Sequence, residues 1–313
     1  MQVIVDGSHV ANRARRGGVG FKERTDGIRI GTIWGFLKSL SYSTRSLNMC
    51  SNQTIVVWDG GRSLYRKQLY PGYKVHEKGP SEKLEDIVYW DQINHLQRKF
   101  LPALGIRSIN VKGTEADDVI SVLAHEWMKY KSGQVIIVSG DTDFHQLLKN
   151  EYIAQFLPDG QIFRKEDVIE RWGTTGIGVA MAKSIIGDAS EKIKGIQGIG
   201  KKRALNLVPY YKTILDRIAN TGTQRTKEIE SDDKSHRKYL DKITENIDTI
   251  DRNMKLIALP ETYYTPYFSE PAMTNELIDV TLSSECKRDL PKFVSLCKEW
   301  ELDDLMHEVA SSL

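Results

Sequence analysis

Val135-Ile136-Ile137-Val138-Ser139-Gly140-Asp141-Thr142-Asp143 is a run of four apolar residues that breaks at Ser-Gly and delivers two carboxylates one residue apart. Such a run reads as a short strand, with the acids where the strand gives way to a loop or helix. Three other runs repeat the design. Val3-Ile4-Val5 runs into Asp6, Ile55-Val56-Val57-Trp58 into Asp59, and Ile106 to Val111 leads to Glu115, Asp117 and Asp118. As neighbouring parallel strands, these four would bring their acidic ends to one sheet edge, where ligand sites of open α/β sheets form. Carboxylates packed that closely repel one another unless cations neutralise them, and an all-oxygen set without His or Cys suits a hard divalent ion.

Each acid has a local explanation when read alone. Thr114 is set to cap a helix whose first turn holds Glu115, Asp117 and Asp118, an arrangement that the helix dipole favours anyway. Asp143 is set to cap a helix carrying Phe144, Leu147 and Leu148, Asp6 to cap a turn, and Asp59 to enter the Gly60-Gly61 loop. Four strand ends sharing one feature outweigh these separate readings.

The composition, 40% hydrophobic and 27% charged over 313 residues, is that of a soluble globular chain with room for two domains. No apolar stretch approaches the ~20 residues that span a bilayer. Met1 leads almost directly into a strand, so no signal peptide is expected. Cys50, Cys286 and Cys297 are scattered and suggest neither a disulfide framework nor a zinc knuckle. A cytoplasmic chain, in the host cytoplasm if viral, is expected. The net charge of +2 conceals acids at strand ends and bases elsewhere.

Residues 1 to about 165 alternate strand-like and helical patterns, the signature of βα units around a mostly parallel sheet. Ile30, Ile33, Trp34, Leu37 and Leu40 recur at helical spacing, as do Val119, Ile120, Leu123 and Trp127. Ile153 to Leu157 and Gln161 to Arg164 flank Pro158-Asp159-Gly160, which predicts a hairpin. From Asp167 onward the pattern is helical. Thr221 to His236 reads as an exposed connection, and Tyr239, Ile243, Ile247 and Ile250 as a single helical stripe that Pro260 closes.

Bases gather in three segments. Gly195-Ile196-Gln197-Gly198-Ile199-Gly200-Lys201-Lys202-Arg203 predicts a tight glycine hairpin between two helices, the second opening on cations. Backbone N–H groups, a helix N-terminus and these side chains would hold one phosphate without reading bases, so binding would be independent of sequence and weakened by salt. Arg62, Tyr65, Arg66, Lys67, Tyr70, Tyr73, Lys74 and Lys83 interleave aromatics with cations, as a single-strand surface does. Arg13, Arg15, Arg16, Lys22 and Arg24 surround glycines that lack the Gly-Lys-Ser/Thr of a phosphate loop. The histidines do not cluster, and His9 and His145 read as structural.

Together these residues resemble the flap endonuclease and 5′-nuclease family, which includes bacteriophage 5′-exonucleases, phage RNase H and the 5′-nuclease domain of bacterial DNA polymerase I. The resemblance covers residues 1 to about 260. It implies a PIN-like α/β fold over 1–183 with an arch at about 62–95 and a helix-hairpin-helix duplex-binding domain at 184–260, while residues 261–313 carry no motif of the family and read as a helical segment of unknown role. It implies metal ligation by Asp6, Asp59, Glu115, Asp117, Asp141, Asp143 and Asp188, with Asp118 beside them. Where many relatives have Gly-Asp-x-x-Asp this chain has Gly187-Asp188-Ala189-Ser190-Glu191, so Glu191 is expected to act through water or at a second ion.

The activity so implied is hydrolysis of 5′ flaps and 5′ ends of DNA, or of RNA in RNA:DNA hybrids, with two Mg²⁺ ions that Mn²⁺ replaces. Lys74 and Arg66 are expected to offset charge on the attacked phosphate. A K⁺ ion at the Gly195 to Arg203 hairpin, a monomeric chain, and single-strand-binding or sliding-clamp partners belong to the same expectation. Two rivals remain open: a branched-DNA binding protein without catalysis, and a PIN-type ribonuclease, which would lack the hairpin.

Overall fold

The structure, a computed structural model, describes residues 1–75, 79–131, 133–220, 229, 234–260 and 286–313. In chain order it runs β1 (Gln2–Asp6), α1 (Gly7–Arg16), α2 (Gly31–Ser46), β2 (Thr54–Trp58), α3 (Leu64–Leu69), α4 (Pro80–His95), the one-turn α5 (Leu101–Ala103) and β3 (Arg107–Asn110). There follow α6 (Ala116–Lys131), β4 (Val135–Val138), β5 (Ile153–Phe156), β6 (Ile162–Phe163), α7 (Lys165–Trp172) and α8 (Ile177–Ile186). A short ladder of β7 (Gly187–Asp188) with β8 (Ile193–Lys194) leads into α9 (Lys201–Asn206), α10 (Tyr211–Ala219), α11 (Lys234–Glu245) and α12 (Ile247–Ile257). Two further helices, Leu290–Glu299 and Asp303–Ser312, end the chain.

Strands lie in the order β3-β2-β1-β4-β5-β6, the first five parallel and β6 antiparallel to β5. The chain moves outward from β1 in both directions, so the crevice at the carboxyl ends of β1 and β4 is the topological switch point. Asp6 ends β1, and Asp141 follows β4 by three residues. The predicted hairpin is present, with Gly160 at φ +88° and the Leu157 amide donating to the Gln161 carbonyl.

Side chains alternate across the pleat and divide the core between the two faces. Ile4, Ile55, Val57 and Ile137 pack beneath Val119, Ile120, Val179, Met181, Ile250 and Met254, a single cluster that runs from the sheet through α6 and α8 to α12. Val3, Val5, Val56 and Trp58 face the opposite way, onto Ile33, Phe36 and Leu37 of α2. Each fully buried aliphatic or aromatic side chain there contributes about 1.5–3 kcal/mol. The C-terminal helices complete this second face. Phe293, Cys297, Trp300, Leu302, Leu305 and Val309 are buried against it, so residues 286–313 share a core with the N-terminal half.

Three local expectations are corrected. The stripe from Tyr239 to Ile250 is two helices, α11 and α12, because the chain leaves helical geometry at Asn246 (φ −114°, ψ 22°), although Ile243, Ile247 and Ile250 are all buried. Helix α6 starts at Ala116, whose amide donates to Asp59 Oδ1 at 2.8 Å, so the cap comes from another strand end and not from Thr114. Asp141, not Asp143, caps the short 3-10 turn Thr142–Gln146. Most of the Thr221 to His236 connection lies outside the described residues; Ile229 within it is buried, and Lys234 already begins α11.

Asp59 is fixed by a lock between loops. The Gly60 amide donates to the Thr114 carbonyl and the Gly113 amide to the Gly60 carbonyl, both at 2.9 Å. A Cβ on Gly60 would fall on the Val111 carbonyl. Gly60→Ala is therefore expected to cost about 1–3 kcal/mol, the usual range for overpacking, measured as a lower urea midpoint at unchanged slope.

Candidate metal centre and nucleic-acid surface

Four elements bring Asp6, Asp59, Asp117 and Asp141 within electrostatic reach of one another. Asp6 is 4% exposed and caps α1 by accepting from the His9 amide at 2.9 Å, while Ser139 Oγ donates to its other oxygen at 3.0 Å. Burial raises its pKa to about 7, with Asp59 and Asp141 adding to the effect. Asp117, half-buried in the first turn of α6, is pushed well above the carboxylate range by burial, Lys74 opposing and Asp141, Asp59 and Asp118 adding. Among the described residues its carboxylate accepts no hydrogen bond. Asp6 and Asp117 are thus held as anions only at a cost that a cation would remove.

Beside them lies a cluster that carries its own countercharge. Arg66 is 3% exposed and forms a bidentate pair with Asp118, 2.7 Å to each oxygen, while Nη1 also donates to Glu115 Oε2 at 2.9 Å. Tyr73, 3% exposed, donates its hydroxyl to the same Glu115 oxygen at 2.8 Å. Lys74 Nζ stands 3.2 Å from Glu115 Oε1 and 3.2 Å from Glu191 Oε2. Burial raises the Glu115 pKa, but Arg66, Lys74 and Tyr73 outweigh it, and the net direction is down.

Three expectations change accordingly. Both Asp118 oxygens are occupied by Arg66, so Asp118 is a partner of that guanidinium and not a free ligand. Arg66 is spent on two carboxylates in the interior and does not face a phosphate. Tyr73 is a core residue that orients Glu115, so it does not stack on a base. Lys74 remains partly exposed and has φ +51°, a left-handed conformation uncommon outside glycine. Its amide donates to the Glu191 carbonyl at 3.1 Å, so strain at this lysine is held by a bond to the β7–β8 turn.

Asp143, Asp188 and Glu191 converge with Asp117 on a small pocket roofed by Leu256, Ile257 and Leu259. Asp188 Oδ1 accepts from the Ser190 and Glu191 amides, and these bonds, with Lys183, lower a pKa that burial raises. Glu191 moves the other way, upward, through burial. Asn253, fully buried on α12, donates to the Ser184 and Lys194 carbonyls at 2.9 Å and ties the turn to α8. Lys183, absent from the sequence expectations, reaches both Asp143 and Asp188. Its signal was available, since it is the only charged residue in the apolar α8.

Among the described residues no three carboxylate, histidine or cysteine side chains form a closed cage. The donor chemistry nonetheless fits a hard divalent ion. Every candidate is an oxygen, Asp117 accepts no hydrogen bond among the described residues, and magnesium binds through one or two carboxylates while keeping several waters.

The raised carboxylate pKa values set a pH dependence. A group whose folded pKa exceeds its unfolded value stabilises most at low pH, and that stability is lost as pH rises through the folded pKa. His9 and His145, lowered chiefly by burial, slope the opposite way, but only below their unfolded value near 6.5. Above about pH 6.5 the histidines no longer oppose the Asp6 contribution, which is lost as pH rises through its folded value of about 7, with Asp117 acting in the same direction. Metal-free protein is expected to melt at lower temperature as pH rises to about 7, and millimolar Mg²⁺ to remove the slope, as calorimetry with and without EDTA would register.

The nucleic-acid candidates divide. Arg62, Lys67, Lys83, Gly198, Gly200, Lys201, Lys202 and Arg203 are exposed, and Tyr65 is half-buried. Gly195 serves packing, because a Cβ there would meet the Ile186 carbonyl. Lys201 lies over Trp172 and Arg203 over Tyr239, 4.9 and 5.1 Å from the ring centres. The Gln197 and Gly198 carbonyls accept from Lys242 and Arg203. In the first basic segment Arg15 pairs with Asp86, Lys22 with Asp304 and Arg24 with Asp26. No helix among the described residues is long and apolar enough to cross a membrane.

Residues 1–173 match the family model described as 5′-3′ exonuclease, N-terminal resolvase-like domain. The chain is 30% identical over 202 residues to the 5′-3′ exonuclease of Bacillus subtilis, covering 63% of this chain and 64% of that protein. It is 29% identical over 237 residues to the thermostable DNA polymerase I of Thermus filiformis, covering 74% of this chain and 27% of the polymerase. The chain therefore spans about a quarter of that polymerase and under two thirds of the stand-alone exonuclease. Among solved structures it is similar to T5 5′-exonuclease with divalent zinc ions bound, with a TM-score of 0.68, 21% identity, and coverage of 90% of this chain and 96% of that one. The likeness extends to the expected PIN-like fold, a mostly parallel sheet flanked by helices.

Proposed function

The chain belongs to the 5′-3′ exonuclease family, and from that premise we propose that it is a magnesium-dependent, structure-specific 5′-nuclease that cuts 5′ flaps and removes nucleotides or RNA primers from 5′ ends during replication or repair. The observation that carries this reading is the convergence of Asp6, Asp59, Asp117 and Asp141 at the switch point, where Asp6 and Asp117 are raised by burial and by one another's neighbours.

In this reading Asp6, Asp59, Asp117 and Asp141 would hold divalent ions directly or through water, Glu115, already engaged by Arg66, Tyr73 and Lys74, would reach them through water, and Asp143, Asp188 and Glu191 would serve a second position. Bound ions supply Lewis acidity and a water of lowered pKa. The water oxygen forms a bond to phosphorus, the bond from phosphorus to the leaving 3′-oxygen breaks, and the products carry a 5′-phosphate and a 3′-hydroxyl. Lys74, anchored between Glu115 and Glu191, presents its ammonium to the attacked phosphate. Lys201, Lys202 and Arg203 grip duplex phosphates at a distance from the cut, and residues about 62–95 form the arch over the single strand. Mn²⁺ substitutes for Mg²⁺. The domain division at about 183 and 260, a monomeric chain, and contacts with a single-strand-binding protein or sliding clamp belong to the same proposal.

The test is cleavage of three labelled substrates, a 5′-flap DNA, an RNA:DNA hybrid and a single-stranded RNA, in Mg²⁺, Mn²⁺ and EDTA. Metal-dependent cutting of the flap near its junction supports the reading. Flap binding without cutting in any metal would leave a branched-DNA binder, and cutting of single-stranded RNA alone would leave a ribonuclease.

A further inference from the structure

The two halves of the acidic edge are neutralised differently. Around Asp6, Asp59, Asp117 and Asp141 the donors to carboxylates are neutral, among them the His9 amide, Ser139 Oγ and the Ala116 amide. Around Asp143 and Asp188 the chain supplies an ammonium. Lys183 is 8% exposed on the otherwise apolar α8, its Nζ paired with Asp143 Oδ1, 3.6 Å from Asp188 Oδ2 and 3.4 Å from Thr142 Oγ1. The turn engages Asp188 Oδ1 through Ser190 and Glu191, which leaves Oδ2 to Lys183.

Resting on the nuclease reading above, we propose that Lys183 is a built-in cation of the second metal position, its ammonium lying between Asp143 and Asp188 where a divalent ion would bind. The Asp6 half, where Lys74 acts on Asp117 only through space from its pairs with Glu115 and Glu191, takes an ion without displacing a cation bonded to its carboxylates and holds it tightly. The Asp143 half takes one only by exchange with an ammonium already in place, and holds it weakly. Divalent occupancy of the second position then follows the incoming phosphate, whose negative charge favours a cation of charge two over one of charge one. In its absence Lys183 keeps Asp143 and Asp188 from repelling each other, since a buried carboxylate without a partner is costly.

A lysine that merely stabilised the fold would predict something different. Its loss would lower stability without changing how many ions bind or how tightly. The deciding experiment counts Mn²⁺ bound to the full chain by electron paramagnetic resonance of the free ion, for the wild type and Lys183→Met, beside the melting temperature of each with and without Mn²⁺. The expected result is one tight and one weak ion in the wild type, a second ion bound at least tenfold more tightly in Lys183→Met, and a metal-free melting temperature that falls in the variant and recovers with Mn²⁺. Should Lys183→Met fail to fold without metal, Lys183→Gln, which keeps a donor for Thr142 and Asp143, carries the same comparison. A second-ion affinity that is unchanged or weaker in the variant overturns the proposal while leaving the nuclease reading intact. A wild type that binds no Mn²⁺ overturns both.

Discussion

Asp141→Asn is expected to lower the single-turnover rate on a 5′-flap DNA by at least about 10³-fold, which corresponds to roughly 4 kcal/mol of lost transition-state stabilisation. The size follows from what the change removes. An amide oxygen keeps the neutral half of the role, accepting from the Asp143 amide at 2.8 Å and capping the 3-10 turn, since Asn caps as well as Asp. What disappears is one negative charge at the switch point, among acids whose mutual repulsion marks the position of a cation. Fold and flap affinity in EDTA should therefore match the wild type, and only the metal-dependent rate should collapse. A rate within tenfold of wild type would remove Asp141 from the chemistry.

Arg66→Ala is expected to act on stability first. Its guanidinium satisfies both oxygens of Asp118 and one of Glu115, all within the interior. Removing one partner of a buried ion pair typically costs about 3–5 kcal/mol, because the remaining charges are left without compensation. At the usual sensitivity of chains this size, the melting temperature should fall by on the order of 10 °C. Asp118→Asn in the same chain should return part of the loss, since the two changes share one network and are not additive. A catalytic role for Arg66 predicts the reverse, a normal melting temperature with a slow enzyme. The two outcomes separate in one calorimetric scan beside one rate measurement.

Much of this site was legible in the sequence because strand ends are. Short β-branched runs broken by acids announce both the strand and the residue at its end, and the sheet order then follows from few connections. Arrangements set by distant partners were not legible. Asp117 and Asp118 are adjacent and chemically identical, yet Asp118 meets a guanidinium 52 positions earlier in the chain while Asp117 meets none. Tyr73 and Lys74 likewise look alike as an aromatic-basic pair, but Tyr73 is buried on Glu115 and Lys74 remains partly exposed in a left-handed turn. The cap of α6 escaped for the same reason, because Asp59 supplies it from across the sheet edge. Lys183 was the opposite case. One cation in an apolar helix is a local signal, and only its partners required the fold.

The claim on which the rest depends is that Asp6, Asp59, Asp117 and Asp141 share divalent ions at the carboxyl edge of the sheet. Anomalous diffraction from crystals soaked in Mn²⁺ tests it most directly. The expected map has a peak at the switch point within roughly 2.0–2.2 Å of a carboxylate oxygen, or one water further out, with Asp117 and Asp141 among the nearest groups. A peak confined to other surfaces, in crystals of protein that still cuts a flap, would contradict it.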